Sequence, residues 1–225
     1  MQHNRFFMSC MYESAKISIE YNLGLNLFDA PDMGRDLFIG RQPEIQEMEK
    51  ILQAQSASTG SIREVLILGG MGGIGKTQLA ITYAKQHRSS YSSIFWLNAS
   101  SEVAMTTSLR ALANRIISPE TVSQLKDDQL WIHVSNWLSE LENTRWLLIF
   151  DNYDDPDQYD IKTYYPPATH GSIIITTRQP RLLNGGQLKV ESMKRMEDSL
   201  QILATRSRRN HVKSGKSISS EDLSY

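Results

Sequence analysis

Four short runs of consecutive apolar residues, separated by longer stretches of helical spacing, organise this chain. Glu64–Gly69 carries Val65, Leu66, Ile67 and Leu68 and ends in glycine; Ser93–Asn98 carries Ile94, Phe95, Trp96 and Leu97. Residues 146–150 are apolar throughout, and Ser172–Thr177 contains Ile173, Ile174 and Ile175. Runs this short and this continuous are expected of strands buried on both faces of a parallel sheet. Between them the period lengthens. Ile45, Met48 and Leu52 recur at i, i+3, i+7, and a helix over residues 76–87 turns Leu79, Ala80 and Tyr83 inward. Further helices are expected over residues 101–117 and 128–142, the second with Leu130, Trp131, Val134, Trp137, Leu138 and Leu141 on one broad face. Another over residues 190–204 aligns Met193, Met196, Leu200 and Leu203. Strands alternating with helices imply an α/β fold, a parallel sheet with right-handed crossovers and helices on both faces.

The flanks lack such order. Residues 1–36 show no sustained period and read as an irregular leader, while 206–225 are polar and serine-rich, the composition of a disordered tail. The expected organisation is a leader, one α/β domain over residues 37–188, the first helix of a small helical domain over 189–205, and the tail.

Composition narrows the class. Of 225 residues, 40% are hydrophobic, enough for a substantial core, and the formal net charge of −1 gives no global attraction to nucleic acid or anionic membrane. Cys10 is the single cysteine, so no intrachain disulfide or thiolate cluster can form. Apolar runs stop far short of the roughly 20 residues of a membrane helix, and the N-terminus lacks a signal peptide's pattern. A cytoplasmic protein is expected. The five histidines (His3, His87, His133, His170, His211) show no metal-site spacing. Arg206, Arg208, Arg209, Lys213 and Lys216 are basic and clustered but read as a solvated tail, and Trp131, Trp137 and Trp146 read as core.

The chemistry begins with Gly70-Met71-Gly72-Gly73-Ile74-Gly75-Lys76-Thr77, which fits G-x-x-x-x-G-K-[ST] between an apolar strand and a helix. Glycines allow the backbone to curl so that successive N–H groups point into one concavity around a phosphate. Lys76 supplies positive charge to the β- and γ-phosphates, Thr77 a hydroxyl for Mg²⁺, and the helix that starts there its N-terminal dipole. Gly70, Gly72 and Gly75 also spell G-x-G-x-x-G, but a dinucleotide site wants an acid at the end of the second strand. That strand ends in Asn98-Ala99-Ser100 with no carboxylate before Glu102, and Lys76-Thr77 would be unexplained. The phosphate-loop reading is preferred, with Gly70, Gly72, Gly73, Ile74, Gly75, Lys76, Thr77 and Gln78 as candidate nucleotide-binding residues.

A phosphate-loop ATPase needs a carboxylate at a strand tip to manage Mg²⁺. Asp151, closing the run that begins at Trp146, is the candidate. Asp154 and Asp155 are the candidates for polarising an attacking water, with a solvated turn before Pro156 as the alternative. Arg178 closes the fourth run, where a cation can sense whether a γ-phosphate is present.

Phe38-Ile39-Gly40-Arg41 with Glu44, the phosphate loop, Phe95-Trp96-Leu97-Asn98, the stretch 147–155 and the stretch 171–178 together resemble the NB-ARC domain. That family belongs to the signal-transduction ATPases with numerous domains, which include plant resistance proteins and apoptosome activators (NOD-like receptors). The Asp-Asn-x-Asp-Asp form of the second motif is most similar to fungal members. The resemblance, over about residues 37–204, implies a P-loop NTPase holding ADP at rest, exchanging it for ATP with Mg²⁺, and associating with itself or other proteins. By position, Ile39, Gly40 and Arg41 would border the adenine, Asp151 and Thr77 would manage Mg²⁺, and Arg178 would be the sensor. Asn152 stands where hydrolysing relatives carry a second acid, so at most slow ATP hydrolysis is implied. No guanine-specifying Asn-Lys-x-Asp occurs, in agreement with adenine. After Leu203 the family continues into a Gly-Leu-Pro-Leu motif and a winged helix, and neither follows, so the resemblance implies a truncated member. Two other functions remain open on sequence grounds, a phosphate-loop kinase with a separate substrate and an interaction module that has lost nucleotide affinity.

Overall fold

In the computed structural model, residue 30 and residues 40–53 and 63–192 are described. Five strands form one parallel sheet: β1 Glu64–Gly69, β2 Ser93–Asn98, β3 Trp146–Asp151, β4 Ser172–Thr177 and β5 Gly186–Lys189, in the spatial order β2-β3-β4-β1-β5. Helix α1 spans Gln42–Gln53, α2 Lys76–Gln86, α3 Glu102–Ile116, α4 Pro119–Gln124 and α5 Asp127–Ser139. Short 3₁₀ turns at Arg88–Ser90, Ile161–Tyr164 and Pro180–Leu182 complete the described elements.

Alternation along each strand divides the core in two, because successive side chains leave a strand on opposite faces. Leu66, Leu68, Ile94, Trp96, Leu147, Ile149 and Ile174 pack under α1 and α2, where Ile45, Met48, Leu79 and Tyr83 are buried. Ile67, Phe95, Leu97, Leu148, Phe150, Ile173 and Ile175 face α3 and α5, meeting Met105, Leu109, Leu130 and Val134. Helices therefore cover both faces, which is why β3 and β4 are buried at every position. Ser101 caps α3 by accepting from Ala104 N at 3.2 Å, and Ser118 caps α4 by accepting from Thr121 N at 3.3 Å.

Trp146 anchors the base of the sheet. It is fully buried, and its Nε1 donates to Leu138 O at 2.8 Å. Gly171 sits against it at φ 84°, where a Cβ would come within 2.2 Å of the indole ring.

Three expectations change. The helix expected over residues 128–142 ends at Ser139, so Leu141 lies beyond it and is 85% exposed rather than on the inward face. Between the two expected helices, where no element is expected, Pro119–Gln124 form α4, started by Ser118 and Pro119. Lys189, expected to open a helix, instead closes β5, and Val190–Ser192 are not helical. The rest of that helix, the leader 1–36 apart from residue 30, and the tail 206–225 lie outside the described residues. No helix among the described residues is long and apolar enough to cross a membrane.

Candidate functional site

The sheet order creates the site. β4 lies between β1 and β3, so the loop leaving β1, the tip of β3 and the tip of β4 converge at the carboxyl end of the sheet, where open α/β sheets bind ligands. The loop at residues 70–75 is turned by Gly73 at φ 73° and Gly75 at φ 101°, left-handed values that glycine adopts without a Cβ penalty. Gly75 then starts α2 without a side-chain cap. Among the described residues, the N–H groups of Gly72, Gly73, Gly75, Lys76 and Thr77 donate to no backbone carbonyl. A helix N-terminus with unpaired donors facing a concavity is an anion site by construction.

That concavity is a cavity of about 510 Å³, walled by Gly72, Gly73, Gly75, Lys76, Thr77 and Gln78 from the loop and α2. Asn152 and Asp154 from the β3 tip and Thr176 and Arg178 from the β4 tip close the other side. Lys76 is 8% exposed and its Nζ donates to Gly70 O at 2.8 Å and Met71 O at 2.9 Å. Burial lowers its pKa below the ordinary lysine value; Asp154 opposes the shift, Arg178 adds to it and Asp151 opposes it. A phosphate reaching Lys76 would oppose the same shift, because opposite charge favours the charged amine.

Thr77 and Asp151 meet across 74 positions of sequence, Thr77 Oγ1 donating to Asp151 Oδ1 at 2.8 Å. Thr176 Oγ1 donates to the same oxygen at 2.6 Å and accepts from Asn152 N at 2.8 Å. Asp151 is 9% exposed, and burial raises its pKa above the ordinary aspartate value against the hydrogen bonds of Thr176 and Thr77 and the charge of Lys76. The residues fit a nucleoside polyphosphate with Mg²⁺: unpaired N–H donors and Lys76 for phosphate oxygens, Thr77 and Asp151 for the cation.

Other expected residues are placed as follows. Gly40 and Arg41 both have positive φ, 76° and 60°, and the Arg41 guanidinium is buried beneath the loop. It donates to Glu44 Oε1 at 3.0 Å, Ile74 O at 2.9 Å and Glu191 O at 2.9 Å. Ile39 lies outside the described residues. Ile74 and Gly70 contribute carbonyls to Arg41 and Lys76 rather than cavity wall. Asp154 lines the cavity and binds Arg178, whereas Asp155 is exposed and accepts from Gln158 Nε2 at 2.8 Å within its own turn, away from the cavity. Asn152 lines the cavity at φ 68°, a conformation asparagine tolerates better than most residues. Thr176 escaped sequence reasoning, although two threonines closing an otherwise isoleucine-rich run beside Asp151's strand were its signal.

A family model for the NB-ARC domain matches residues 44–212, well over half of the chain. Among solved structures, the ORC2 protein of Aeropyrum pernix, determined as ADPNP–ADP complexes, superposes with a TM-score of 0.55 at 15% identity, covering 84% of this chain and 55% of that one. The ORC1 protein of Aeropyrum pernix in complex with DNA gives 0.55 and 15%, with coverages of 83% and 53%. A STAND protein (signal transduction ATPase with numerous domains) with a tetratricopeptide repeat sensor from Pyrococcus horikoshii gives 0.46 and 19%, with coverages of 81% and 27%. The chain thus spans about half or less of the length of these structures, and at such identities the two ORC superpositions establish likeness of fold. No curated protein sequence matches.

Proposed function

The chain belongs to the NB-ARC family, and from that premise we propose that it is the nucleotide-binding core of a cytoplasmic regulatory switch, a NOD-like signalling ATPase. It holds ADP or ATP with Mg²⁺, and exchange between them controls association with protein partners or with further copies of itself. The observation that carries this reading is the joining of the phosphate loop to Asp151 through Thr77, beside a cavity of about 510 Å³. That volume lies in the range of small-molecule sites, roughly 300–1,000 Å³.

Each residue then has a task. Backbone N–H groups of residues 72–77 and Lys76 receive the phosphates, and Thr77 and Asp151 hold Mg²⁺, which when bound screens the phosphate charge. Gly40 and Arg41 border the adenine, with Ile39 beside them by position. Arg178 reads the terminal phosphate. Asn152 cannot take a proton from water, and Asp155 is engaged within its own turn, which supports slow hydrolysis and a switch rather than a turnover enzyme. The net charge of −1 supports protein partners over nucleic acid.

The test is the melting midpoint of the purified chain with Mg²⁺ and ADP, ATP or GTP, alongside Lys76→Ala. A ligand at 100 times its dissociation constant stabilises by about 2.7 kcal/mol, or about 5–11 °C in a domain of this size. The expected result is such a shift with adenine nucleotides that Lys76→Ala abolishes. Absence of any shift in a protein that melts cooperatively refutes nucleotide binding, and rapid turnover refutes the switch.

A further inference from the structure

Asp154 and Arg178 form an ion pair on the cavity wall in which one residue takes both oxygens of the other. Oδ1 of Asp154 accepts from the backbone N of Arg178 at 2.7 Å, and Oδ2 accepts from its Nε at 2.6 Å. The carbonyl of Asp154 accepts from Gln179 Nε2 at 3.0 Å, and Gln179 N donates to Thr177 Oγ1 at 2.9 Å. The turn after β3 and the turn after β4 are thereby tied together. The Asp154 side chain is 12% exposed and that of Arg178 60%, so the acid lies beneath and the base above.

Both oxygens of Asp154 accept from Arg178, so the carboxylate is held as the partner of that side chain rather than presented freely to a water. It suits a different task. A carboxylate on Nε fixes the plane of a guanidinium and leaves the two terminal nitrogens as a fork, the geometry that matches phosphate oxygens. Among the described residues no protein acceptor takes Nη1 or Nη2 of Arg178. Cδ of Arg178 also lies 3.9 Å from where a Cβ on Gly72 would stand, so the side chain passes over the phosphate loop.

We infer that Asp154 is the positioning residue for Arg178, and that the fork it aims across the loop gives this site its discrimination of nucleoside triphosphate from diphosphate. The inference rests on the nucleotide-binding reading above. Charge sets its direction. Lys76 and Arg178 are two cations lining one cavity. Without the carboxylate, Arg178 is repelled by Lys76 and held by no other side chain among the described residues, so it disperses into solvent. A terminal phosphate must then reorder a long side chain before using it, at an entropic cost that a diphosphate, out of the fork's reach, does not incur.

Asp154→Asn tests this by calorimetric titration of the full chain with Mg²⁺ and either ADP or a non-hydrolysable ATP analogue. Asparagine keeps the shape but presents a single acceptor, so one of the two Arg178 N–H groups faces an amide NH₂. The expected result is about tenfold weaker binding of the triphosphate analogue, the lower end for loss of an orienting partner, with ADP changed by less than about twofold. Arg178→Lys, which keeps the charge but lacks Nε and the fork, loses the same preference from the other side of the pair. In an Arg178→Ala background, Asp154→Asn leaves the ratio of the two affinities unchanged. Tighter triphosphate binding by Asp154→Asn, an equal change for both nucleotides, or an undiminished effect in the Arg178→Ala background each overturns the inference while nucleotide binding stands. A parent chain that binds neither nucleotide overturns both.

Discussion

Asp151→Asn separates the proposed role of this residue as a cation ligand from its role in the fold, and the two respond with opposite sign. Asparagine is nearly isosteric, and its Oδ1 can still accept from Thr77 and Thr176, the two hydroxyls that donate to the aspartate at 2.8 and 2.6 Å. The change therefore removes a buried charge and little else. In the ligand-free protein burial holds the Asp151 pKa above its unfolded value. An acid whose folded pKa is raised binds its proton more tightly when folded. Stability is then greatest below the unfolded pKa of about 3.9, falls as pH rises to the raised value, and stays reduced at neutral pH. Each unit of such a shift corresponds to about 1.4 kcal/mol, or about 3–6 °C of melting midpoint. Ligand-free Asp151→Asn is thus expected to melt at or above the parent at pH 7, and to converge with it near pH 4. With Mg²⁺ and ADP the order reverses. A tenfold loss of affinity removes about 1.4 kcal/mol of the roughly 2.7 kcal/mol that a ligand at 100 times its dissociation constant supplies. The ligand-induced rise should therefore shrink to about half or less. Differential scanning fluorimetry over a pH series, with and without Mg²⁺ and ADP, reads both effects. A variant that melts several degrees lower without ligand, or keeps the full rise with it, would refute the assignment.

Gly171→Ala should destabilise the fold by about 2–4 kcal/mol, because it places a Cβ in the buried indole of Trp146 and demands a left-handed conformation of alanine. Chemical denaturation monitored by tryptophan fluorescence checks this, and an unchanged midpoint would remove Trp146 as the anchor of the sheet's base. Alkaline titration tests the tyrosine-rich flank beside α3 and α5. Burial pushes Tyr165 up to about 12, and Tyr153 and Tyr159 are raised for the same primary reason. Phenols held neutral in the fold lose stability for the protein as pH climbs from about 10 toward 12, so ionisation followed in the near ultraviolet should coincide with loss of helical circular dichroism there. Ionisation near pH 10 with the fold intact would place these hydroxyls in contact with solvent.

Much of this was legible beforehand because it is local. β1, β2 and β4 fall on the very residues of their apolar runs, since a strand buried on both faces needs nothing but continuous apolar side chains. β5 carries no such signal, for the converse reason. At the sheet's edge, Gly186–Lys189 buries only alternate positions incompletely, and its Gly185-Gly186 start resembles a turn. Leu141 lies off the expected face because helical spacing continues past Ser139 although the helix does not, and nothing in the period marks that stop.

The phosphate loop was legible in sequence alone, since eight contiguous residues carry their own turn, charge and helix start. What surrounds it was decided only by tertiary structure. Placing β4 between β1 and β3 brought Thr77 to Asp151 across 74 positions, and made Thr176 a partner that no motif announced. The same convergence drew Arg41 under Ile74 and Glu191, and paired Asp154 with Arg178. Polar pairings of this kind leave no period in the chain. They depend on which strand tips become neighbours, and that is settled by the packing of both apolar faces of the sheet, not by the charged residues that come to rest at its end.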